Sequence, residues 1–170
     1  MELKIESVRH GNHIILIDDE DYDKIKNITW HIGYERHSGG YYVLSKIWVK
    51  EEKKQYQIAM HRIIMDCPKG MIVDHINHNG LDNRKCNLRI CTHSENGRNV
   101  KKHRIDTSSR YKGVCKKTKE KNYSAQITID KKRIHIGTFK TEDQAAIAYN
   151  IAALKHHGEY ASLNNVMAHR

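Results

Sequence analysis

The chain has 170 residues, of which 38% are hydrophobic and 29% charged, and its formal net charge is +10 at pH 7. This composition suits one folded domain or two or three small ones. No apolar run approaches the roughly 18–20 residues that a bilayer-spanning helix needs, and the N-terminus lacks the core of a signal peptide. We therefore expect a soluble, intracellular protein in the cytoplasm of a host cell, not a helical membrane protein.

The positive charge is concentrated in the last two thirds of the chain. Residues 1–60 carry nine Lys and Arg against ten Asp and Glu, whereas residues 61–105 carry nine against four and residues 106–170 carry twelve against six. Such a distribution is typical of proteins that bind nucleic acid, because the phosphate backbone is negatively charged. A basic surface that serves only solubility is the alternative interpretation.

The first 60 residues show the alternating pattern of β-strands. Strands are predicted at Ile14–Ile17, Tyr41–Val49 and Tyr56–Met60. The acidic stretch Asp18–Asp23 predicts a short helix, because carboxylates are favourable at a helix N-terminus. No chemical motif is present, so we expect this region to be structural or to contact DNA through Arg36, Lys46 and Lys50.

Residues 72–96 carry a pattern with the chemistry of metal-assisted phosphodiester cleavage. A strand ends in Asp74 and His75, a second strand opens at Asn87, and a short helix after Thr92 presents Asn96. Carboxylate and amide oxygens suit Mg²⁺ or Mn²⁺, and an imidazole takes a proton from water at near-neutral pH. Asn87 is expected to bridge backbone groups across the loop and to orient His75. Each residue alone is weak evidence, and the prediction depends on their order and spacing.

Two capping boxes are predicted from residue types three positions apart. Thr92 and Glu95 define the start of the helix that carries Asn96, and Thr141 and Gln144 define the start of a longer helix near the C-terminus.

The four cysteines show no C-x-x-C spacing, and in an intracellular protein we expect them to be reduced packing residues. A zinc site formed by Cys67, Cys86 and Cys91 with a histidine is the alternative.

Residues 111–163 predict a three-stranded antiparallel sheet with one helix on one face. The open face is expected to carry Gln126, Thr128, Arg133 and His135. Ile134 and Ile136 are expected on the side that the helix covers. A bare polar sheet face next to lysines predicts a binding platform without pocket chemistry.

The segment from about residue 61 to residue 100 resembles the HNH group of homing endonucleases, which have a ββα-metal (His-Me finger) core. The matching segments are His61-Arg62, Val73-Asp74-His75, Leu81–Arg84, Asn87–Arg89 and Thr92–Asn96. The resemblance implies that Asp74 and Asn96 bind one divalent metal ion, that His75 is the general base and that Asn87 supports the loop. Many members have histidine at the last position, so Asn96 favours Mg²⁺ or Mn²⁺ over Zn²⁺ or Ni²⁺.

The C-terminal region resembles the plant ethylene-response-factor type DNA-binding domain. The matching segments are Tyr111–Val114, the strand through Ala125-Gln126-Ile127, Arg133–Phe139, Ala145–Asn150, Ala152–Leu154, Gly158 and Leu163-Asn164. The resemblance implies that the sheet enters the major groove. Cys115, Thr128 and His135 depart from the plant pattern, so the plant target sequence cannot be transferred.

Together these observations predict an α+β fold. The predicted parts are a β-rich region at 1–60, a ββα-metal nuclease core at 61–102, a basic linker at 103–110 and a DNA-binding domain at 111–164. The residues expected to contact DNA are Arg62, Arg84, Arg89, Lys101, Lys102, Arg104, Arg110, Lys112, Lys117, Lys119, Gln126, Thr128, Arg133 and His135.

The predicted function is a metal-dependent, site-targeted DNA endonuclease of the homing type that acts on double-stranded DNA and needs no small-molecule cofactor beyond the metal. We expect a monomer on DNA, so that one site cuts one strand, whereas a dimer or sequential nicks would give double-strand breaks. The alternative is a non-catalytic DNA-binding regulator with a nuclease-like fold. RNA binding is less favoured, because the open sheet lacks aromatic pairs that stack on bases.

Overall fold

The computed structural model describes residues 1–36, 39–100, 108–116 and 121–166, which divide into two compact units, Met1–Asn96 and Gly97–Arg170. The fold is a mixture of helices and small antiparallel sheets, as predicted in outline. Among the described residues, none of the helices is long and apolar enough to cross a lipid bilayer.

The first unit contains three antiparallel sheets and short helices. Its elements are β1 (Glu2–Ser7), β2 (Gly11–Leu16), α1 (Tyr22–Ile25), β3 (His31–Glu35), β4 (Gly40–Val49), β5 (Lys54–Ala59), α2 (Met60–Ile64), β6 (Ile72–His75), β7 (Leu88–Cys91) and the start of α3 (His93–Asn99). β1 pairs with β2, β4 lies between β3 and β5, and β6 pairs with β7. The predicted strand over Tyr56–Met60 ends one residue early, because Met60 begins α2.

One hydrophobic core serves the whole first unit. Its buried side chains are Ile15, Ile17, Ile25, Ile32, Val43, Met60, Ile64, Val73 and Leu88. Removing a side chain of this kind from water stabilises a fold by about 1.5–3 kcal/mol. The predicted boundary at residue 60 falls where β5 runs directly into α2, and residues on both sides of it share this core.

The end of β2 fixes the loop that joins β6 to β7. The amide of Leu16 donates to the carbonyl of Leu81 (2.9 Å), and the amide of Asn83 donates to the carbonyl of Leu16 (2.7 Å). These bonds hold residues 81–83 at the position of a short parallel strand beside β2. The loop is therefore anchored to the core unit at its middle as well as at its two ends.

The second unit is a three-stranded antiparallel sheet covered on one face by a helix. Its elements are β8 (Val114–Cys115), β9 (Tyr123–Ile129), β10 (Lys132–Phe139) and α4 (Glu142–His157). The order across the sheet is β10-β9-β8. The predicted capping box is confirmed: the Thr141 side chain accepts from the Gln144 amide, and the Gln144 side chain accepts from the Thr141 amide.

Small residues let α4 lie close to the sheet. Ala145, Ala146 and Ala153 are completely buried, and Tyr149 packs beside them. Gly113 has a φ of +73°, and a Cβ atom there would lie 2.0 Å from the Tyr149 ring. Only glycine fits both the backbone conformation and the contact at this position.

Two details of the second unit bear on the sequence prediction. Ser109 and Arg110, which were predicted in a linker, bind the carboxylate of Glu142 in the first turn of α4 through the Ser109 hydroxyl (2.7 Å) and the Arg110 amide (2.8 Å). Ile134 lies opposite the buried Ile127 and so on the covered side, as predicted, although it is 45% exposed. The register of β9 and β10 shifts between His135 and Gly137, which interrupts the alternation of faces.

Candidate functional site

The β6–β7 hairpin places two neighbouring polar residues on opposite faces. Asp74 pairs in register with Arg89, and His75 pairs with Leu88. Because successive strand residues point to opposite sides, the two side chains enter different surroundings. The side chain of Asp74 forms an ion pair, whereas the side chain of His75 is surrounded by aromatic rings and a side-chain amide.

Asp74 is a buried carboxylate whose charge is balanced by Arg89. Its Oδ2 accepts hydrogen bonds from Nε (2.9 Å) and Nη2 (2.6 Å) of Arg89. The two side chains are only 8% and 11% exposed. Arg89, predicted as a DNA contact, thus has its guanidinium directed at the candidate metal ligand.

Cys91 is the last residue of β7, and only Thr92 separates it from α3. Burial raises the pKa of its thiol, and the negative charges of Asp74 and Glu95 raise it further. The pKa of the thiol is therefore raised by one carboxylate of β6 and by one carboxylate in the first turn of α3. β7, whose Arg89 pairs in register with Asp74, is followed within two residues by the helix that carries Asn96.

The start of α3 has the predicted capping box. Glu95 Oε2 accepts from the amide and the hydroxyl of Thr92 (2.8 Å each), and the Glu95 amide donates to Thr92 Oγ1 (3.2 Å). The amide of Asn96 donates to the Thr92 carbonyl (3.0 Å), and the residue is half-buried. The backbone that carries the Asn96 side chain is thus fixed within one turn of the end of β7.

His75 lies in a buried cluster with a defined hydrogen-bond partner. The residue is 5% exposed, and its Nε2 is 3.2 Å from Oδ1 of the completely buried Asn83. With the amide oxygen as acceptor, Nε2 carries the proton and Nδ1 is the basic nitrogen. Burial lowers the pKa of His75, while the Asn83 bond and the charges of Asp74 and Asp82 oppose that shift.

Two aromatic rings surround His75. The His61 ring lies edge-on at 4.9 Å between centroids, and the Tyr42 ring lies at 5.8 Å. Burial, together with the nearby His75 and Arg62, lowers the pKa of His61 to about 3. Among the described residues its Nδ1 has no hydrogen-bond partner. His61 is therefore neutral at physiological pH.

Asn87 bridges the loop as predicted from its position. Its Nδ2 donates to the Asp82 carbonyl (2.8 Å), and its Oδ1 accepts from the Asn77 amide (3.0 Å). The Asn87 carbonyl also accepts from the Ile76 amide (2.9 Å). Asp82 is in turn held by Arg84, whose Nε and Nη2 each donate at 2.8 Å. The loop that carries Asn83 to His75 is thereby made rigid.

The donor set expected for a metal contains one carboxylate and one amide. Hard oxygen donors of this kind fit Mg²⁺ or Mn²⁺ and not a soft metal. Within the described ranges, no group of three or more His, Cys, Asp or Glu side chains is arranged to hold a metal ion. Among the described residues, Cys67, Cys86 and Cys91 belong to no such group, and all three are free cysteines.

Several cations predicted to contact DNA are engaged within the fold. Arg62 donates to the carbonyls of Met71 (2.8 Å) and Pro68 (3.3 Å) and so closes the turn before β6. Arg110 binds Asp143 (3.3 Å) and lies over the Tyr111 ring. The predicted contacts outside the described residues are Lys101, Lys102, Arg104, Lys117 and Lys119.

The open face of the second sheet brings together the other predicted contacts. Arg133 is opposite Thr128 and His135 is opposite Gln126 in the β9–β10 register, on the face away from α4. Arg133, His135 and Thr128 are exposed. His135 Nδ1 lies 3.1 Å from the Ser124 hydroxyl, which orients the ring on this face. The shared face follows the sequence prediction, and DNA contact by it remains a prediction.

Sequence reasoning did not assign His61, Asn83 or Tyr42 to the site. His61 and Asn83 belonged to segments that carried the HNH resemblance, but no local pattern indicated their contact with His75. Tyr42 comes from β4, which was predicted to contain no chemical motif. Such contacts arise between distant parts of the chain and leave no periodic signal.

Comparison with known proteins supports the first resemblance. Residues 66–98 match the family model described as HNH endonuclease. An uncharacterized HNH endonuclease of Acanthamoeba polyphaga mimivirus is 36% identical over 116 residues, which are 65% of this chain and 59% of that protein. The chain thus spans less than two thirds of the length of this relative.

The second resemblance is supported over a short stretch. An AP2/ERF and B3 domain-containing transcription factor of Arabidopsis thaliana is 48% identical over 46 residues, 27% of this chain and 13% of that protein. A similar protein of Oryza sativa subsp. japonica is 44% identical over 57 residues, 34% of this chain and 15% of that protein. The matched residues 66–98, which include β6, β7 and most of α3, are thus similar to HNH endonuclease domains.

Proposed function

We propose that this protein is a metal-dependent, site-targeted DNA endonuclease of the homing type, in which β6, β7 and α3 form a ββα-metal core. The observation that carries the proposal is the arrangement around the end of β6. A histidine with an oriented, basic Nδ1 follows directly after a buried carboxylate, and the capped helix that bears Asn96 begins just after β7, the strand whose Arg89 binds that carboxylate.

His75 is proposed as the general base. Asn83 accepts from Nε2 and so selects the tautomer in which Nδ1 carries the lone pair. The ring cannot rotate freely, because His61 and Tyr42 pack against it. A preorganised imidazole takes a proton from an attacking water without first having to be positioned, which is a general source of catalytic efficiency.

Asp74 and Asn96 are proposed to hold one Mg²⁺ or Mn²⁺ ion. A divalent ion bound there supplies electrostatic stabilisation of the extra negative charge on the phosphate and the departing oxygen. Arg89 balances the buried charge of Asp74. Asn87 and Asp82 contribute by keeping the intervening loop in one conformation.

The second unit is proposed to bind double-stranded DNA through its open sheet face. Gln126 has the donor and acceptor pair that recognises adenine, and Arg133 has the fork that recognises guanine in the major groove. Lysines near the sheet are proposed to bind phosphates, which supply affinity and register with little sequence preference. The partial similarity to the AP2/ERF proteins supports this role.

A plasmid-cleavage assay tests the proposal. The full chain is incubated with a library of supercoiled plasmids carrying random inserts, in Mg²⁺, in Mn²⁺ and in EDTA, and the cut ends are sequenced. We expect metal-dependent cleavage at one family of sites, with nicked circles formed first if the protein acts as a monomer. Binding to a preferred site without cleavage in either metal would contradict the proposal.

That contrary result would support the second candidate, a non-catalytic DNA-binding regulator. The Asp74–Arg89 ion pair is the observation that favours it, because a guanidinium already neutralises the carboxylate that a metal ion would need. The retention of His75 with an oriented ring favours the enzyme, because a regulator has no use for such a group.

A further inference from the structure

Lys112, predicted as a DNA contact, is occupied within the fold. Its Nζ donates to the carbonyls of Arg98 and Val100, at 2.7 Å each. These carbonyls lie in and just after the last turn of α3, where a helix leaves acceptors without internal partners. Burial lowers the pKa of Lys112 to about 8, in agreement with an ammonium group removed from solvent. A cation at a helix C-terminus is favourable also for the helix dipole.

The backbone of Lys112 is fixed by two asparagines. Asn164 Oδ1 accepts from the Lys112 amide (2.6 Å), and Asn164 Nδ2 donates to the Lys112 carbonyl (2.9 Å). The Asn164 backbone is bound in the same reciprocal way by Asn150 of α4, at 2.8 and 2.9 Å. A continuous set of hydrogen bonds therefore runs from α4 through Lys112 to the end of α3.

The helix held in this way is the one that carries Asn96. α3 is short, and its start is fixed by the Thr92–Glu95 capping box. The second unit begins at Gly97, inside the helix, so that Lys112 and the carbonyls it binds belong to the same unit. With only two turns between the cap and the Lys112 bonds, fraying at the C-terminal end would reach Asn96 within a single turn.

We propose that Lys112 is a positioning residue for Asn96: it closes the C-terminal end of α3 and so holds the amide that completes the donor set. This inference rests on the proposed function for its consequence in catalysis. It differs from the sequence prediction, in which Lys112 binds a DNA phosphate. The two roles make opposite predictions for the same substitution.

The test uses the full chain with Lys112→Met, which keeps the side-chain length and removes the donor. Hydrogen exchange of the amides of residues 97–100 is expected to accelerate on the order of tenfold, since charge-assisted hydrogen bonds are lost. The affinity for Mn²⁺, measured by electron paramagnetic resonance of the free ion, is expected to fall severalfold. DNA affinity in EDTA is expected to change less than twofold, with the same dependence on salt.

Lys155→Met is the matched control, because Lys155 is an exposed lysine on α4. It should leave exchange, Mn²⁺ affinity and DNA binding as in the wild type. Lys112→Gln, which keeps a neutral donor, provides a second variant should the methionine variant not fold. The hydrogen-exchange protection of residues 97–100 in this variant is expected to be intermediate between that of the wild type and its complete loss.

Unchanged exchange together with a salt slope lowered by about 0.9 would overturn the inference and make Lys112 a phosphate contact. Faster exchange with unchanged Mn²⁺ affinity would also overturn it, since α3 would then hold Asn96 without Lys112. A wild-type chain that binds no Mn²⁺ and cleaves no DNA contradicts the proposed function instead. The exchange measurement needs neither metal nor substrate, so the two failures are distinguishable.

Discussion

The guanidinium of Arg89 lies across the β6–β7 ladder from Asp74 and directs two hydrogen bonds to the same carboxylate oxygen. The pair is almost entirely out of solvent. Buried ion pairs are strongly destabilising when one partner is removed, whereas replacing both by apolar residues is often neutral. This relationship controls both the stability of the hairpin and the charge that a metal ion would meet.

Arg89→Met is expected to lower the free energy of unfolding of the first unit by roughly 3–5 kcal/mol, because it leaves the Asp74 charge buried and uncompensated. The double variant Asp74→Leu/Arg89→Met should recover most of that loss. Urea denaturation followed by circular dichroism measures both. If the free energy of unfolding of Arg89→Met were within about 1 kcal/mol of the wild-type value, the burial of Asp74 would not depend on Arg89.

Arg89→Met lowers stability by itself, but it should increase the stabilisation that a bound metal ion provides. If a divalent ion uses the Asp74 carboxylate, Mn²⁺ should raise the Tm of Arg89→Met more than that of the wild type, because the ion replaces the missing positive charge. Thermal unfolding with and without Mn²⁺ measures the difference. Asp74→Ala is the control and should show no stabilisation by Mn²⁺. Equal stabilisation of all three proteins would place the metal elsewhere.

His75→Ala is expected to lower the rate of DNA cleavage by roughly 10²–10⁴-fold, the range that general-base catalysis contributes. Binding to the cleaved site in EDTA should remain within a few-fold of the wild type, because the residue is only 5% exposed and its proposed role is proton transfer from water, not a contact to phosphate or base. His31→Ala, an exposed histidine on β3, is the control. Cleavage by His75→Ala at the wild-type rate would remove His75 from the role of base.

The elements of this site that depend on neighbouring residues could be predicted from the sequence. The two capping boxes require only side chains three positions apart, and both are present. The bridge made by Asn87 followed from its place at the end of a turn-rich loop. These contacts are local, so residue type and spacing are sufficient to indicate them.

Contacts between distant segments could not be predicted in the same way. Tyr42 and His61 reach His75 only because β4 and α2 pack on the loop after β6. The Arg89 and Lys112 side chains were interpreted as DNA contacts because a cation in a basic segment looks the same whether it faces solvent or a buried acceptor. Their partners, Asp74 and the carbonyls after α3, are determined by strand register and tertiary packing.

Acid should destabilise the first unit through its buried histidines. The pKa of His61 in the fold is about 3, and that of His75 is also lowered by burial, whereas an unfolded histidine titrates near 6.5. Between these values the unfolded chain binds more protons, so stability is complete above pH 6.5 and is lost as the pH falls. The slope should be up to roughly 1.4 kcal/mol per pH unit for each histidine.

Urea denaturation at a series of pH values from 7 to 4 measures this slope. His61→Phe keeps an aromatic ring beside His75 and should reduce the slope by the contribution of one histidine. His31→Phe, which replaces an exposed histidine on β3 outside this cluster, is the matched control substitution. A pH-independent stability in the wild type would contradict the buried, neutral state of both rings.

DNA recognition by the second unit should separate into sequence and charge effects. Arg133→Ala is expected to lower site affinity by roughly 1–3 kcal/mol and to relax the preference at one base pair, because a bidentate contact to guanine is lost. A lysine variant on the same sheet, Lys132→Ala, should weaken binding equally for all sequences and reduce the salt slope by about 0.9. Binding of the wild type to a library of sites at several salt concentrations, followed by sequencing of the retained fraction, measures both quantities. Uniform weakening by Arg133→Ala would make this arginine a phosphate contact, and a flat salt response in the wild type would remove the open face of the sheet from DNA binding.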